Sequence, residues 1–167
     1  MHRLILMRHA TAERDAATGR DRDRPLSADG REDAVLMGRA LAERGLRPDR
    51  ALVSAATRTR QTWDAVHDAL GDVEVRVEDA MYNAPADTLR RFVETSEDEA
   101  GCLIVVAHNP GVHMLAVEYL IESAASPSVL DRMSGGFPTG AAAVFAVDAA
   151  GRCAYEGFLT PRGLGGA

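Results

Sequence analysis

The sequence of 167 residues predicts an α/β fold with a largely parallel sheet. Three observations carry that reading. Two unbroken apolar runs, Leu4-Ile5-Leu6-Met7 and Cys102-Leu103-Ile104-Val105-Val106-Ala107, read as strands buried on both faces. Strand-like and helix-like segments alternate along the chain. Each apolar run also ends in a polar cluster, Arg8-His9-Ala10-Thr11 in one case and His108-Asn109-Pro110-Gly111 in the other. Open α/β sheets bind ligands at the carboxyl ends of their strands, so the two histidines are expected to meet across one pocket.

The length suits one domain with a real core, taken here as residues 1–160, with 161–167 as a flexible tail. A content of 46% hydrophobic and 26% charged residues is that of an ordinary globular protein. The net charge of −6 argues against nucleic acid as a partner, because a phosphate backbone needs a basic surface. All 19 basic residues are arginine, which removes Schiff-base lysine chemistry and the P-loop lysine. It also makes a solvated surface the default for any single arginine. Cys102 and Cys153 lie in apolar runs and read as buried free thiols of a reduced compartment. No apolar run reaches the length of a membrane span, and Arg8 interrupts the short apolar stretch near the N-terminus. A cytoplasmic protein is the expectation, with no membrane partner.

Residues 13–25 carry no hydrophobic period and alternate charges in Arg20-Asp21-Arg22-Asp23-Arg24-Pro25. A loop this long is expected to be functional, and which of its residues reach back over the pocket is open. Ser27 reads as a helix N-cap with Asp29 in the first turn. Ala34, Met37, Gly38, Leu41 and Ala42 keep a helical stripe that Gly45 stops. Ala51-Leu52-Val53 is a short strand, and a second helix opens near Arg58 with Trp63, Val66 and Leu70 as its apolar side. Val73 to Val77 alternates as a strand. A third helix is expected after Pro85, carrying Leu89, Phe92 and Val93. Asn109 reads as the N-cap of a fourth, with Pro110 at its first position and Leu115, Tyr119 and Leu120 on its apolar side. Residues 123–139 read as loop. Ala141 to Val147 and Cys153 to Phe158 form late strands, joined as a hairpin over Asp148-Ala149-Ala150-Gly151.

Arg8, His9, Arg58 and His108 all fall at strand ends or helix starts. Two guanidinium forks, two imidazoles and two helix N-termini make an anion site, and phosphoryl is the most natural anion. A neutral imidazole can act as nucleophile, and phosphoryl transfer needs positioning and charge stabilisation above all. His2, His67 and His113 read as structural, and Arg60 as surface. His9 and His108 as zinc ligands lack a compact Cys or His cluster to complete the site.

These residues resemble the histidine phosphatase (phosphoglycerate mutase-like) superfamily, and within it the SixA-type phosphohistidine phosphatases. Arg8-His9-Ala10 resembles the opening Arg-His motif. Asp23-Arg24-Pro25-Leu26-Ser27 with Gly30-Arg31, and Ser54 to Arg58 with Gln61-Thr62, resemble the next two segments. Met81-Tyr82-Asn83-Ala84, Val106 to Gly111 and Phe137-Pro138-Thr139-Gly140 resemble the rest, so the likeness spans most of the chain. The resemblance implies a three-layer α/β/α sandwich and a phosphatase with no metal and no cofactor. It implies that His9 becomes phosphorylated, that Arg8, Arg58 and His108 hold the phosphoryl oxygens, and that Thr11 and Asn109 assist. Water then releases inorganic phosphate.

Ala10 replaces the superfamily's glycine, and Ala55 stands where many members have proline; neither change removes a functional group. Many relatives place an acidic proton donor after the third strand, where this chain has Glu78 and Asp79 with no pattern selecting either. An imidazole leaving group needs less acid than an alkoxide, so a loosely defined donor fits an N-phosphorylated substrate. Three functions follow for comparison. The first is a phosphatase of phosphohistidine on a protein, favoured by a short chain with few insertions to build a lid. The second is a phosphatase of a small phosphoester. The third is a phosphate-binding module without catalysis.

Overall fold

A computed structural model describes residues 1–167. Strand β1 (Arg3–Arg8) is central, and its Leu4, Ile5, Leu6 and Met7 are fully buried. Each such side chain contributes about 2 kcal/mol by leaving water, so no charge is tolerated there and the polar residues wait for the strand's end. Strand β4 (Cys102–Ala107) is buried along its whole length and runs parallel beside β1. The remaining strands are β2 (Arg50–Ser54), β3 (Glu74–Glu78), β5 (Ala142–Val147) and β6 (Cys153–Leu159). Their order across the single sheet is β3-β2-β4-β1-β5-β6. The first four are mutually parallel, and β5 and β6 add an antiparallel edge.

The five helices are α1 (Ala28–Glu43), α2 (Thr57–His67), α3 (Ala86–Thr95), α4 (Gly111–Glu122) and α5 (Pro127–Ser134). Side chains alternate across β1, so Leu4 and Leu6 face α3 and α4 while Ile5 and Met7 face α1 and α2. The result is a three-layer α/β/α sandwich with a core on each side of the sheet. No helix is long and apolar enough to cross a membrane.

Helix α1 starts as its sequence directs, with the Ser27 hydroxyl accepting from the Gly30 amide at 3.0 Å. The Ser27 amide in turn donates to the Thr11 carbonyl at 2.9 Å. A Cβ on Gly30 would lie 2.0 Å from that same carbonyl oxygen, so α1 lies flush against the segment that follows His9. Gly38 makes the matching approach to α2. A Cβ there would meet the Val66 carbonyl oxygen at 2.5 Å and its Cα at 2.9 Å.

Three expectations are revised. The stretch 123–139 contains α5, opened by Pro127 at its first turn and packed through Val129, Leu130 and Met133 at helical spacing. Asn109 is not the N-cap of α4. The helix begins at Gly111 after Pro110, and the Asn109 side chain donates instead through Nδ2 to the Phe137 carbonyl at 3.0 Å. Strand β3 is present where its alternation placed it and forms the sheet's edge, with Val75 and Val77 both exposed. Residues 161–167, expected as a flexible tail, form a 3-10 turn over Arg162–Leu164, and the Ala167 amide donates to the buried Asp33 at 3.0 Å.

Because backbone rather than a mobile side chain faces Gly38, Gly38→Ala is expected to lower the unfolding free energy by about 2 kcal/mol or more. Gly136→Ala, which meets open space, serves as the control and is expected to stay within about 0.5 kcal/mol of wild type. Denaturant midpoints measure both, and equal midpoints for the two variants would contradict the packing described.

Candidate active site

The register of the central strands places the site. Arg8 of β1 lies opposite Ala107 of β4, and the His9 amide donates to the Ala107 carbonyl at 3.1 Å. His9 and His108 therefore leave the sheet at one level, with ring centroids 5.4 Å apart. Strand β2 pairs with the other side of β4, so Ser54 arrives beside them and α2 starts three residues later. Arg58, in the first turn of α2, is 3% exposed. The structure thus brings together the four residues singled out in the sequence.

His9 is buried, and its Nδ1 lies 2.7 Å from the Ala10 carbonyl oxygen. A carbonyl only accepts, so Nδ1 carries the proton and the lone pair of the neutral ring is on Nε2. The Ala10 peptide is itself held, its amide donating to Thr62 Oγ1 at 2.9 Å. The Thr62 hydroxyl donates to the Arg58 carbonyl at 2.7 Å, which ties the His9 segment to α2. Burial pushes the His9 imidazole down to about 4, and the charges of Arg58, Arg8 and Arg24 add to that against a smaller opposing effect of the Ala10 carbonyl. His108, 2% exposed, is pushed down to about 3 by burial and by Arg58, and its Nε2 meets Ser54 Oγ at 2.7 Å. Both rings are therefore neutral near pH 7, among cationic guanidiniums.

Arg8 Nη1 donates to the Phe137 carbonyl at 3.1 Å, the same oxygen that Asn109 uses. Thr11 stands at the rim, its hydroxyl 2.8 Å from that of Thr139. Four buried polar atoms have no partner within the protein: Arg8 Nε, Arg58 Nε, His108 Nδ1 and Asn109 Oδ1. All belong to this cluster, whereas buried polar groups elsewhere are paired, as is usual. The unmet guanidinium donors suit an anion's oxygens. No three His, Cys, Asp or Glu side chains are grouped as a metal would require.

Of the acidic residues anticipated after β3, Glu78 is half-buried at the strand's end opposite Ser54, and Asp79 is exposed. Asp79 forms an exposed ion pair with Arg22, and neither Asp79 nor Glu78 hydrogen-bonds to the four core residues. The carboxylate that does reach the core is Asp21 of the 13–25 loop, bound to Arg58 and to the Tyr82 hydroxyl. The Tyr82 ring also lies edge-on to His108, with centroids 5.6 Å apart. Asp21, Arg24, Ser54, Thr62 and Tyr82 were not selected from the sequence. The alternating charges of the loop were the signal for the first two, but alternation alone does not say which residue turns inward.

The depressed histidines set a pH dependence. An unfolded histidine takes a proton near pH 6.5, whereas His9 and His108 take theirs only near 4 and 3. Between those limits the unfolded chain binds more protons, so stability rises with pH. Stability is expected to fall from pH 7 to pH 5 by about 1 to 2 kcal/mol per histidine. A His9→Gln, His108→Gln double variant loses less over that interval. Urea midpoints at the two pH values test this, and parallel loss in both proteins would contradict it.

Comparison with known proteins agrees with this architecture. A family model, the histidine phosphatase superfamily (branch 1), matches residues 4–88. The protein Rv1276c of Mycobacterium tuberculosis is 33% identical over 162 residues, covering 93% of this chain and 100% of that one. An inferred phosphohistidine phosphatase SixA of Agrobacterium tumefaciens superposes with a TM-score of 0.84 at 31% identity, over 96% of this chain and 98% of that one. A second such protein, from Nakamurella multipartitia, gives 0.81 at 30% identity over 96% of each chain. The chain belongs to the histidine phosphatase superfamily, SixA type, and is a phosphatase.

Proposed function

We propose that this phosphatase acts on phosphohistidine of a protein and works through a phosphorylated His9. The observation that carries the reading is the Nδ1 contact of His9 to the Ala10 carbonyl, which leaves Nε2 free as nucleophile. His9 Nε2 attacks phosphorus, a new N–P bond forms, and the P–N bond to the substrate imidazole breaks. The departing imidazole takes a proton from solvent. Arg8, Arg58 and His108 hold the equatorial oxygens, where charge builds up in the transition state. Asn109 and Thr11 line the approach. Water then attacks phospho-His9, the N–P bond breaks, and inorganic phosphate and neutral His9 are restored.

A protein substrate is supported by the likeness to the two SixA proteins and by a rim with few insertions. It also fits the position of Glu78 and Asp79, since an imidazole departs without a strong acid. A small phosphoester is the competing substrate, and the experiment separates the two.

Phosphate release is measured on a phosphohistidine protein and on a panel of small phosphoesters, with wild type and His9→Ala. Fast release from phosphohistidine alone, reduced at least about 1,000-fold in His9→Ala, is the expected result. Preference for one ester would transfer the assignment to a metabolite phosphatase. Undiminished activity of His9→Ala would overturn the nucleophile, and no turnover on any substrate would favour the binding module. Glu78→Gln, at a half-buried position, and Asp79→Asn, at an exposed one, are each expected to leave phosphohistidine turnover within about twofold of wild type, since an imidazole departs without a strong acid.

A further inference from the structure

The strap between β1 and α1 reaches the phosphoryl cradle through one residue. Asp21 opens a 3-10 turn, Asp21–Asp23, none of whose residues is buried. It nevertheless takes both terminal nitrogens of the most deeply buried guanidinium in the site. Arg58 Nη1 donates to the Asp21 main-chain carbonyl at 2.9 Å, and Nη2 donates to Asp21 Oδ2 at 3.2 Å. The Tyr82 hydroxyl donates to that same carboxylate oxygen, and Arg24 Nε donates to the other at 2.9 Å. The Tyr82 hydrogen bond, then Arg24 and Arg58, hold the Asp21 carboxyl down to about 2. An anion already sits on the fork assigned above to the phosphoryl group.

We infer that Asp21 determines the charge specificity of this site, as an internal monoanion on Arg58 that a phosphoryl dianion displaces and a monoanion does not. The inference rests on Arg58 as a phosphoryl ligand, the role proposed above. A carboxylate and a phosphoryl group cannot share one guanidinium face without repelling each other. The dianion brings twice the charge and three oxygens. It reaches donors that Asp21 leaves unmet, the Nε atoms of Arg8 and Arg58 among them. A monoanion, such as a phosphodiester or singly protonated phosphate, has no such advantage over a carboxylate tethered at high effective concentration. Displacement is mild for Asp21, which keeps Arg24 on its own strap as partner. Asp21 acts through Arg58 and is a positioning residue.

The charged and titratable groups facing Asp21 are Arg58 from α2, Tyr82 from the segment after β3, and Arg24 from the strap. His108 lies next, and it stays neutral above pH 4 because its imidazole is held near 3. A pH dependence of phosphate binding between 5.5 and 8 therefore reports the charge of the phosphate, whose second proton leaves in that range.

The test is inhibition by inorganic phosphate at about pH 5.5 and about pH 8, with wild type, Asp21→Asn, Tyr82→Phe and Arg58→Ala. Wild type is expected to bind phosphate much better at the higher pH. In Asp21→Asn the inhibition constant at the lower pH is expected to fall about two- to fivefold, the order of one partly exposed charge pair, and the preference for the dianion shrinks. Tyr82→Phe loosens Asp21 without removing its charge, so it shifts the constant the same way by less. Substrate KM follows the inhibition constant, while kcat does not rise with it. Should Arg58→Ala lose phosphate and Asp21→Asn keep the wild-type constants at both pH values, the inference on Asp21 is overturned and the role of Arg58 stands. Should Arg58→Ala bind phosphate as wild type does, the role of Arg58 fails and the inference with it.

Discussion

The parallel pairing of β1 with β4 is the constraint from which the site follows. With Arg8 opposite Ala107, the residue after each strand must leave the sheet at one height, and both residues are histidine. A shift by one residue would turn His9 away from His108 and would also exchange which side chains face the two cores. The same register that buries Leu4 and Leu6 against α3 and α4 therefore sets the distance between the two imidazoles. Catalytic geometry and core packing are one choice, and the chain has no freedom to alter the first without the second.

Burial and charge act in one direction on those imidazoles. Each ring is removed from water and placed beside guanidiniums, and both effects disfavour a proton. Here the guanidiniums that would bind the phosphoryl oxygens also hold His9 neutral. The Ala10 carbonyl decides which nitrogen carries the remaining proton, and Thr62 holds the amide of the same residue. Two neutral side-chain or main-chain contacts thus complete what three arginines begin.

The sequence made the central part of this legible for a physical reason. Buried strands have to be apolar, so a charge directly after an apolar run marks the strand's end, and that rule located Arg8, His9 and His108. Helix-start chemistry located Arg58. What stayed hidden depends on contacts between segments far apart in the chain. Asp21 meets Arg58 and Tyr82 across 37 and 61 residues, and no local pattern encodes such a meeting. Asn109 carried a good capping signal that lost to the Phe137 carbonyl, a partner supplied by a distant turn. Helix α5 is a different case, since Pro127 and the spacing of Val129, Leu130 and Met133 were visible and the surrounding small polar residues masked them.

Gly30 adds a mechanical consequence. The first turn of α1 lies flush on the Thr11 carbonyl, two residues from His9, with no room for even a methyl group between them. The helix therefore serves as the back wall against which the segment after His9 is pressed. A backbone so braced gives way as a unit, so a side chain introduced at Gly30 would shift the segment after His9 and loosen the seat of α1 in one step.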